Sequence, residues 1–106
     1  MANPHRGEVT FKAADTEYTL AFSTNAICEL EELLDNGINA IVANMERLMT
    51  VRAMLWAGLR TKHPDITLDK AGKLIDICGM LVATDAINKA LQVAFPPPDE
   101  SSAKNG

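Results

Sequence analysis

Two short segments near the N-terminus alternate apolar and polar residues. The first segment is EVTFKA, residues 8–13, in which Phe11 belongs to the apolar side. The second is EYTLAF, residues 17–22, in which Leu20 belongs to the apolar side. A period of two is the pattern of a half-buried strand, and the polar ADT between the segments predicts the turn of a β-hairpin. Because an isolated hairpin is marginal in water, its apolar face is expected to pack on the rest of the chain.

From residue 23 onward the apolar residues recur every three or four positions, as they do on one face of an α-helix. Ser and Thr residues at the starts of these segments can cap helices, and Gly, Asn and Pro follow their ends. Gly79 either ends a helix or bends it, so four or five helices are predicted. The segments are a helix from a Ser23 or Thr24 cap to Gly37, an amphipathic stripe over 38–49, a helix capped by Thr50 and ended at Pro64, a helix capped by Thr67, and a last helix over 80–95.

The order of these segments predicts an α+β fold, in which an N-terminal β-hairpin packs on a bundle of four to five helices. The length of 106 residues fits one domain, which we expect to span residues 8–95. Residues 1–7 are expected to be a flexible N-terminus. Residues 96–106, PPPDESSAKNG, are expected to be a disordered tail, because prolines stop the last helix and the polar remainder cannot bury enough surface.

Composition narrows the classes of partner. A net charge of −4 argues against general binding of nucleic acid, which needs a surplus of Lys and Arg. No apolar run approaches the roughly 20 residues that span a bilayer, and MANPHRGEV lacks the apolar core of a secretory signal. These features predict a soluble, cytoplasmic protein with no membrane partner. Cys28 and Cys78 lie among apolar residues at helical spacing and are predicted to be reduced core residues.

Candidate catalytic groups are few. The acids of the segment CELEELL are best interpreted as a solvated helix face, although three so close could suggest a metal site. His63 with Asp65 could form a base and its orienting group, but both fall in a helix-ending loop. The glycines are scattered and form no phosphate-binding loop. The sequence therefore predicts a protein that is not an enzyme and binds no cofactor or metal.

The segment TVRAMLWAGLR contains the one tryptophan of the chain. On a helix, Arg52, Trp56 and Arg60 lie at i, i+4 and i+8, on the shoulder of an apolar cluster. The favoured interpretation is that Trp56 covers the edge of the core with an arginine against its ring. The alternative is that these three residues bind a partner protein, since Trp and Arg anchor interfaces. The apolar cluster consists of Val51, Leu55, Gly58 and Leu59.

A third interpretation is a helix-turn-helix for DNA, formed by LWAGLR and the following HPDITLDKAGKLI. Asp69 at the entry of the second helix argues against it, because an acid there would repel phosphate.

The order of the motifs MANPHRGEVTF, EYTLAFSTNAICELEE, VRAMLWAGLR, HPDITLDKAG and KALQVAFP resembles one family. It is similar to the small tail-cluster proteins of tailed bacteriophages and gene transfer agents, classed with phage tail-assembly chaperones. The resemblance covers roughly residues 1–96 and rests on the order of the motifs. It implies a non-enzymatic protein of the bacterial host cell. Such a protein would bind the tape-measure protein and keep it soluble while tail-tube subunits assemble around it.

Two other functions remain compatible with these residues. One is a structural minor tail or tail-tube component that is retained in the particle, and the other is a small DNA-binding regulator. Four methionines, at positions 45, 49, 54 and 80, fit an adaptable partner surface, although their spacing assigns most of them to the core. An exposed apolar groove would favour the chaperone.

Overall fold

The structure, a computed structural model, describes residues 7–95. It confirms the predicted α+β fold: a two-stranded antiparallel hairpin packs against five helices. The predicted disordered tail and all of the predicted flexible N-terminus except Gly7 lie outside the described residues. The elements are β1 (Glu8–Ala13), β2 (Thr16–Ala21), α1 (Thr24–Leu34), α2 (Ile38–Ala43), α3 (Leu48–Leu59), α4 (Leu68–Cys78) and α5 (Met80–Ala94).

The hairpin has the predicted apolar face. Phe11 pairs with Tyr18 and Val9 with Leu20, so the alternating apolar residues lie on one side of the two strands. The turn is shorter than ADT, because Thr16 already pairs with Ala13. Only two residues remain between the strands, and such a tight turn needs a positive φ at one or both of them.

The outer edge of β2 is covered by the loop that follows α3. The Thr61 hydroxyl donates to the Ala21 carbonyl at 3.2 Å, and the Thr19 amide donates to His63 Nε2 at 3.2 Å. The His63 ring also lies against Tyr18, with 5.4 Å between the ring centroids. An uncovered strand edge invites pairing with other chains, so these side chains protect the hairpin as well as fixing the loop.

α3 is the central element of the fold. It contacts α1, α4, α5 and β2, and its Val51, Met54, Leu55 and Leu59 side chains are completely buried. Gly58 allows the hairpin to approach α3 closely. A Cβ atom at this position would lie 2.8 Å from Leu20 Cδ2 and 3.0 Å from Phe22 Cζ. The missing side chain therefore lets the hairpin press directly on the helix.

The prediction of a single helix over residues 38–49 is wrong. α2 ends at Ala43, and α3 begins at Leu48, ahead of the predicted Thr50 cap. The Asn44 side-chain amide donates to the Ala40 carbonyl at 2.9 Å, and the Asn44 backbone N–H bonds three residues back, to Ile41. An asparagine that takes a backbone carbonyl in this way competes with the helical hydrogen bonds and favours a turn. Thr50 is buried in the first turn of α3.

The other helix starts agree with the sequence. The Ser23 hydroxyl accepts from the Ala26 amide at 3.1 Å, and the Thr67 hydroxyl accepts from the Lys70 amide at 3.1 Å. Each side chain satisfies an amide that would otherwise lack a partner at a helix start. Gly79, at φ 92°, ends α4 and precedes α5, which fixes the number of helices at five.

α1 ends earlier than its predicted stop at Gly37. Asp35 adopts the left-handed conformation, with φ 52°, and its N–H bonds the Glu31 carbonyl. Gly37 instead precedes α2. The Glu31 carboxylate accepts from the Ile38 amide at 2.7 Å, so an α1 side chain caps the start of α2.

Ala14 occupies a turn position that glycine would fill at lower cost. It has φ 56°, whereas its turn partner Asp15 is not among the positive-φ residues. This is the pattern of a type II′ turn, which favours glycine at its first central position. We expect Ala14→Gly to raise the free energy of unfolding by up to about 1 kcal/mol. Urea denaturation would measure it. Asp15→Gly is the control and should not stabilise the protein.

Gly58→Ala should destabilise the protein despite alanine's better helix propensity. The added methyl group would clash with Leu20 and Phe22, and overpacking of this kind costs about 1–3 kcal/mol. Gly72→Ala is the matched control in α4, where the new methyl would meet only the flexible Arg52 Cδ, at 3.3 Å. That variant should be neutral or gain up to about 1 kcal/mol. Thermal unfolding of both variants checks this, and equal losses would contradict the close approach at Gly58.

Candidate partner-binding site

The stripe formed by Arg52, Trp56 and Arg60, predicted at i, i+4 and i+8, follows the solvent-facing side of α3 and ends directly after it. Arg52 is exposed, while Trp56 and Arg60 are half-buried. The remaining residues from Thr50 to Leu59 are all buried. The predicted apolar cluster of the helix is thus confirmed. Between Thr50 and Arg60, these three side chains are the ones that reach the solvent.

The C-terminal end of the stripe is occupied by contacts within the chain. The Arg60 guanidinium lies over the Trp56 ring, with its Cζ 4.9 Å from the ring centroid, and forms an ion pair with the Glu29 carboxylate of α1. Trp56 packs against the hydrophobic core. This is the arrangement of the favoured interpretation, in which Trp56 covers the core edge beneath an arginine. A partner would have to displace internal contacts in order to use these two residues.

The N-terminal end of the stripe is open. Among residues 7–95, no carboxylate lies within 4.0 Å of the Arg52 guanidinium nitrogens. Its stem crosses Gly72 of α4, whose missing side chain leaves room between the two helices. A groove of about 440 Å³ follows this gap, and we call it the α3–α4 groove. Its lining includes Leu48, Met49 and Arg52 of α3 and Gly72, Ile75 and Asp76 of α4.

The α3–α4 groove combines apolar side chains with charges of both signs. Leu48 and Met49 are 61% and 60% exposed, which is unusual for apolar residues at the start of a central helix. On the α4 side, Lys73 Nζ lies 3.2 Å from Asp69 Oδ2. An apolar surface with a charged rim has the composition of a protein-binding groove.

A second groove lies between α2 and α5, with a volume of about 400 Å³. We call it the α2–α5 groove. Val42 and Phe95 are 40% and 53% exposed there. Among the described residues that line it, none has an ionisable side chain. Ile38, Asn39 and Val42 contribute from α2, and Asn88, Leu91, Gln92 and Phe95 from α5 and its C-terminal end.

The sequence pattern did not reveal either groove. It placed Val42, Leu48 and Met49 on one inward-facing stripe, and all three are exposed because the helix breaks between α2 and α3. Leu33, whose helical spacing adds it to the apolar stripe of the first predicted helix, is 44% exposed. The asparagine at position 44, a residue type that favours turns, was the one signal that could have indicated the break.

The prediction that both cysteines are core residues is wrong for Cys28, which is exposed on α1. Both thiols are free, and Cys78 is half-buried, with its Sγ 3.5 Å from the Gly79 carbonyl. Burial raises the pKa of the Cys78 thiol, against a smaller opposing effect of its backbone hydrogen bond. A thiol with a raised pKa stays protonated near neutral pH and is a poor nucleophile.

Three of the other titratable candidates have structural contacts. Glu29 pairs with Arg60, Glu31 caps α2, and His63 accepts a hydrogen bond from β2. Within residues 7–95, no three His, Cys, Asp or Glu side chains are grouped as metal ligands. The longest helix of that region has 15 residues, and none is long and apolar enough to cross a bilayer.

Comparisons of the chain with models of protein families, with curated proteins and with solved structures found no match.

Glu29→Gln should release Arg60 from its position over Trp56. Both charged side chains are partly exposed, so the loss of stability should stay below about 1 kcal/mol. The emission of Trp56 should shift to longer wavelength as its ring becomes more hydrated. Glu32→Gln removes the same charge from an exposed position on α1 and should leave the emission unchanged. Identical spectra for the two variants would contradict a specific Glu29–Arg60–Trp56 contact.

Proposed function

We propose that this protein is a tail-assembly chaperone of a phage, prophage or gene transfer agent. In this proposal it binds segments of the tape-measure protein in the α3–α4 groove. The observation that supports it best is the exposure of Leu48 and Met49 beside an arginine that has no carboxylate partner among residues 7–95. The order of motifs along the chain supplies the particular partner, and the groove supplies a surface for it.

The chemistry of the groove fits a helical client. An amphipathic helix places its apolar face in such grooves through side chains at i, i+3, i+4 and i+7. Met49 has an unbranched, polarizable side chain that can adapt to different apolar partners. Arg52 can pair with an acidic side chain on the client helix, and Asp76 on the opposite wall can pair with a basic one.

The size of the groove fits transient binding. A groove of about 440 Å³ holds only a few side chains of a client, so the contact is small beside those of permanent complexes. A chaperone has to release its client when tail-tube subunits take its place, so modest affinity suits this role.

The charges of α4 give no support to a DNA-binding regulator. Asp69 lies in the first turn of the helix and pairs with Lys73, and Asp76 lies on the same groove wall. Carboxylates in these positions would face phosphate across the groove and repel it.

The test is co-expression with the tape-measure protein encoded in the same gene cluster. The wild-type chain should raise the soluble fraction of that protein. Leu48→Gln/Met49→Gln should reduce this effect several-fold, because it removes the apolar contacts while glutamine keeps the helix. Ile77→Gln/Leu81→Gln is the matched control, since it changes two exposed apolar residues at the α4–α5 junction.

A second pair of variants tests the charged rim. Arg52→Glu should weaken binding, whereas Arg60→Gln should have little effect because Arg60 already contacts Glu29 and Trp56. Equal behaviour of the Leu48→Gln/Met49→Gln variant and its control would remove the α3–α4 groove from the proposal. A wild-type chain that rescues nothing and copurifies with finished particles would instead identify a structural tail component.

A further inference from the structure

The described residues that line the α2–α5 groove carry no charge, although charged residues are frequent in the sequence. Charged residues make up 23% of the sequence, with a net charge of −4, yet the described residues of this groove are apolar or carry neutral amides. The apolar side chains include Phe95, at 53% exposure, and Val42, at 40%. Covering such a surface therefore does not incur the free-energy cost of removing charged groups from water.

The α5 side of this groove has the spacing of a helix–helix contact. Asn88, Leu91, Gln92 and Phe95 lie at i, i+3, i+4 and i+7. This spacing lines up side chains on one stripe of a helix, as at the seam between two packed helices. In such seams, a neutral polar residue among the apolar ones fixes the register of the partner.

The amides make this surface complementary to itself. In a two-fold dimer the same patch meets its own copy, so each group must tolerate an identical group across the axis. Asn and Gln can do this because each side chain both donates and accepts hydrogen bonds. Carboxylates or ammonium groups in the same places would repel each other. A net charge of −4 opposes the association of two copies, and this repulsion is smallest where the contact itself carries no charge.

We infer that a second copy of this chain docks in the α2–α5 groove and forms a two-fold dimer in which α5 packs against α5 of the other copy. The contact extends over the C-terminal part of α5, from Asn88 to Phe95, and the short neighbouring helix α2, which is small for a protein interface. The dimer should therefore be weak and dissociate on dilution. This inference does not depend on the α3–α4 groove or on its client.

Analytical ultracentrifugation of the full chain tests the dimer between about 5 and 500 µM. The average mass of the wild type should rise from 11.5 kDa toward twice that value. Gln92→Glu should stay near the monomer mass, because it places like charges across the two-fold axis without changing side-chain size. Asn25→Asp is the control. It adds the same charge to an exposed position on α1 and should dimerise as the wild type does.

A mixing experiment shows whether charge at this face is the cause. Asn88→Asp/Gln92→Glu and Asn88→Lys/Gln92→Lys should each be monomeric alone, and an equimolar mixture should recover the dimer mass. Circular dichroism of each variant verifies that the helices remain folded.

Three results would overturn the inference. A wild type that stays monomeric over the whole concentration range would be the first. A dimer that survives Gln92→Glu would place the contact on another face. Dissociation caused equally by Asn25→Asp would assign the effect to net charge alone.

Discussion

The burial of α3 is the constraint on which the rest of the fold depends. A helix that is apolar on nearly every side must be covered on nearly every side, and α1, α4, α5 and β2 supply that cover. Gly58 brings the hairpin close enough to close the gap between strand and helix. The hairpin in turn depends on this contact, because two strands alone bury too little surface to be stable. Beyond its exposed first turn, α3 reaches the solvent only along a narrow line through Arg52, Trp56 and Arg60.

The two ends of this line differ because different neighbours meet them. At one end α1 places Glu29 where it can pair with Arg60, and the arginine then closes over the tryptophan. At the other end α4 presents Gly72, whose missing side chain lets the stem of Arg52 pack closely against it, and the α3–α4 groove lies along these residues. The same repeat of side chains along one helix thus serves stability at its C-terminal end and leaves an accessible surface at its N-terminal end.

The sequence predicted those features that depend on residues close together in the chain. The alternation of the strands and the caps at Ser23 and Thr67 are of this kind, since each involves groups within a few positions. The break after α2 was not predicted, because the apolar repeat continues across it and the deciding contact is one side-chain bond from Asn44. For the candidate site, helical spacing located the solvent-facing line of α3. It could not tell which end was closed, because Glu29 lies 31 residues from Arg60. It also could not place Leu48 and Met49 in the solvent, since that follows from the break.

The contrast between the two grooves suggests how one small protein could bind apolar clients without aggregating. Two open apolar surfaces on one chain would each attract the other as well as the client. Charges of both signs surround the α3–α4 groove, so an apolar surface without matching charges would leave Arg52 and Asp76 unpaired on contact. The α2–α5 groove has no such selectivity, because no charge among its described lining residues must be matched. Covering it with a second copy would remove the less selective surface and keep the more selective one free. Self-association would then be a condition for discriminating among clients.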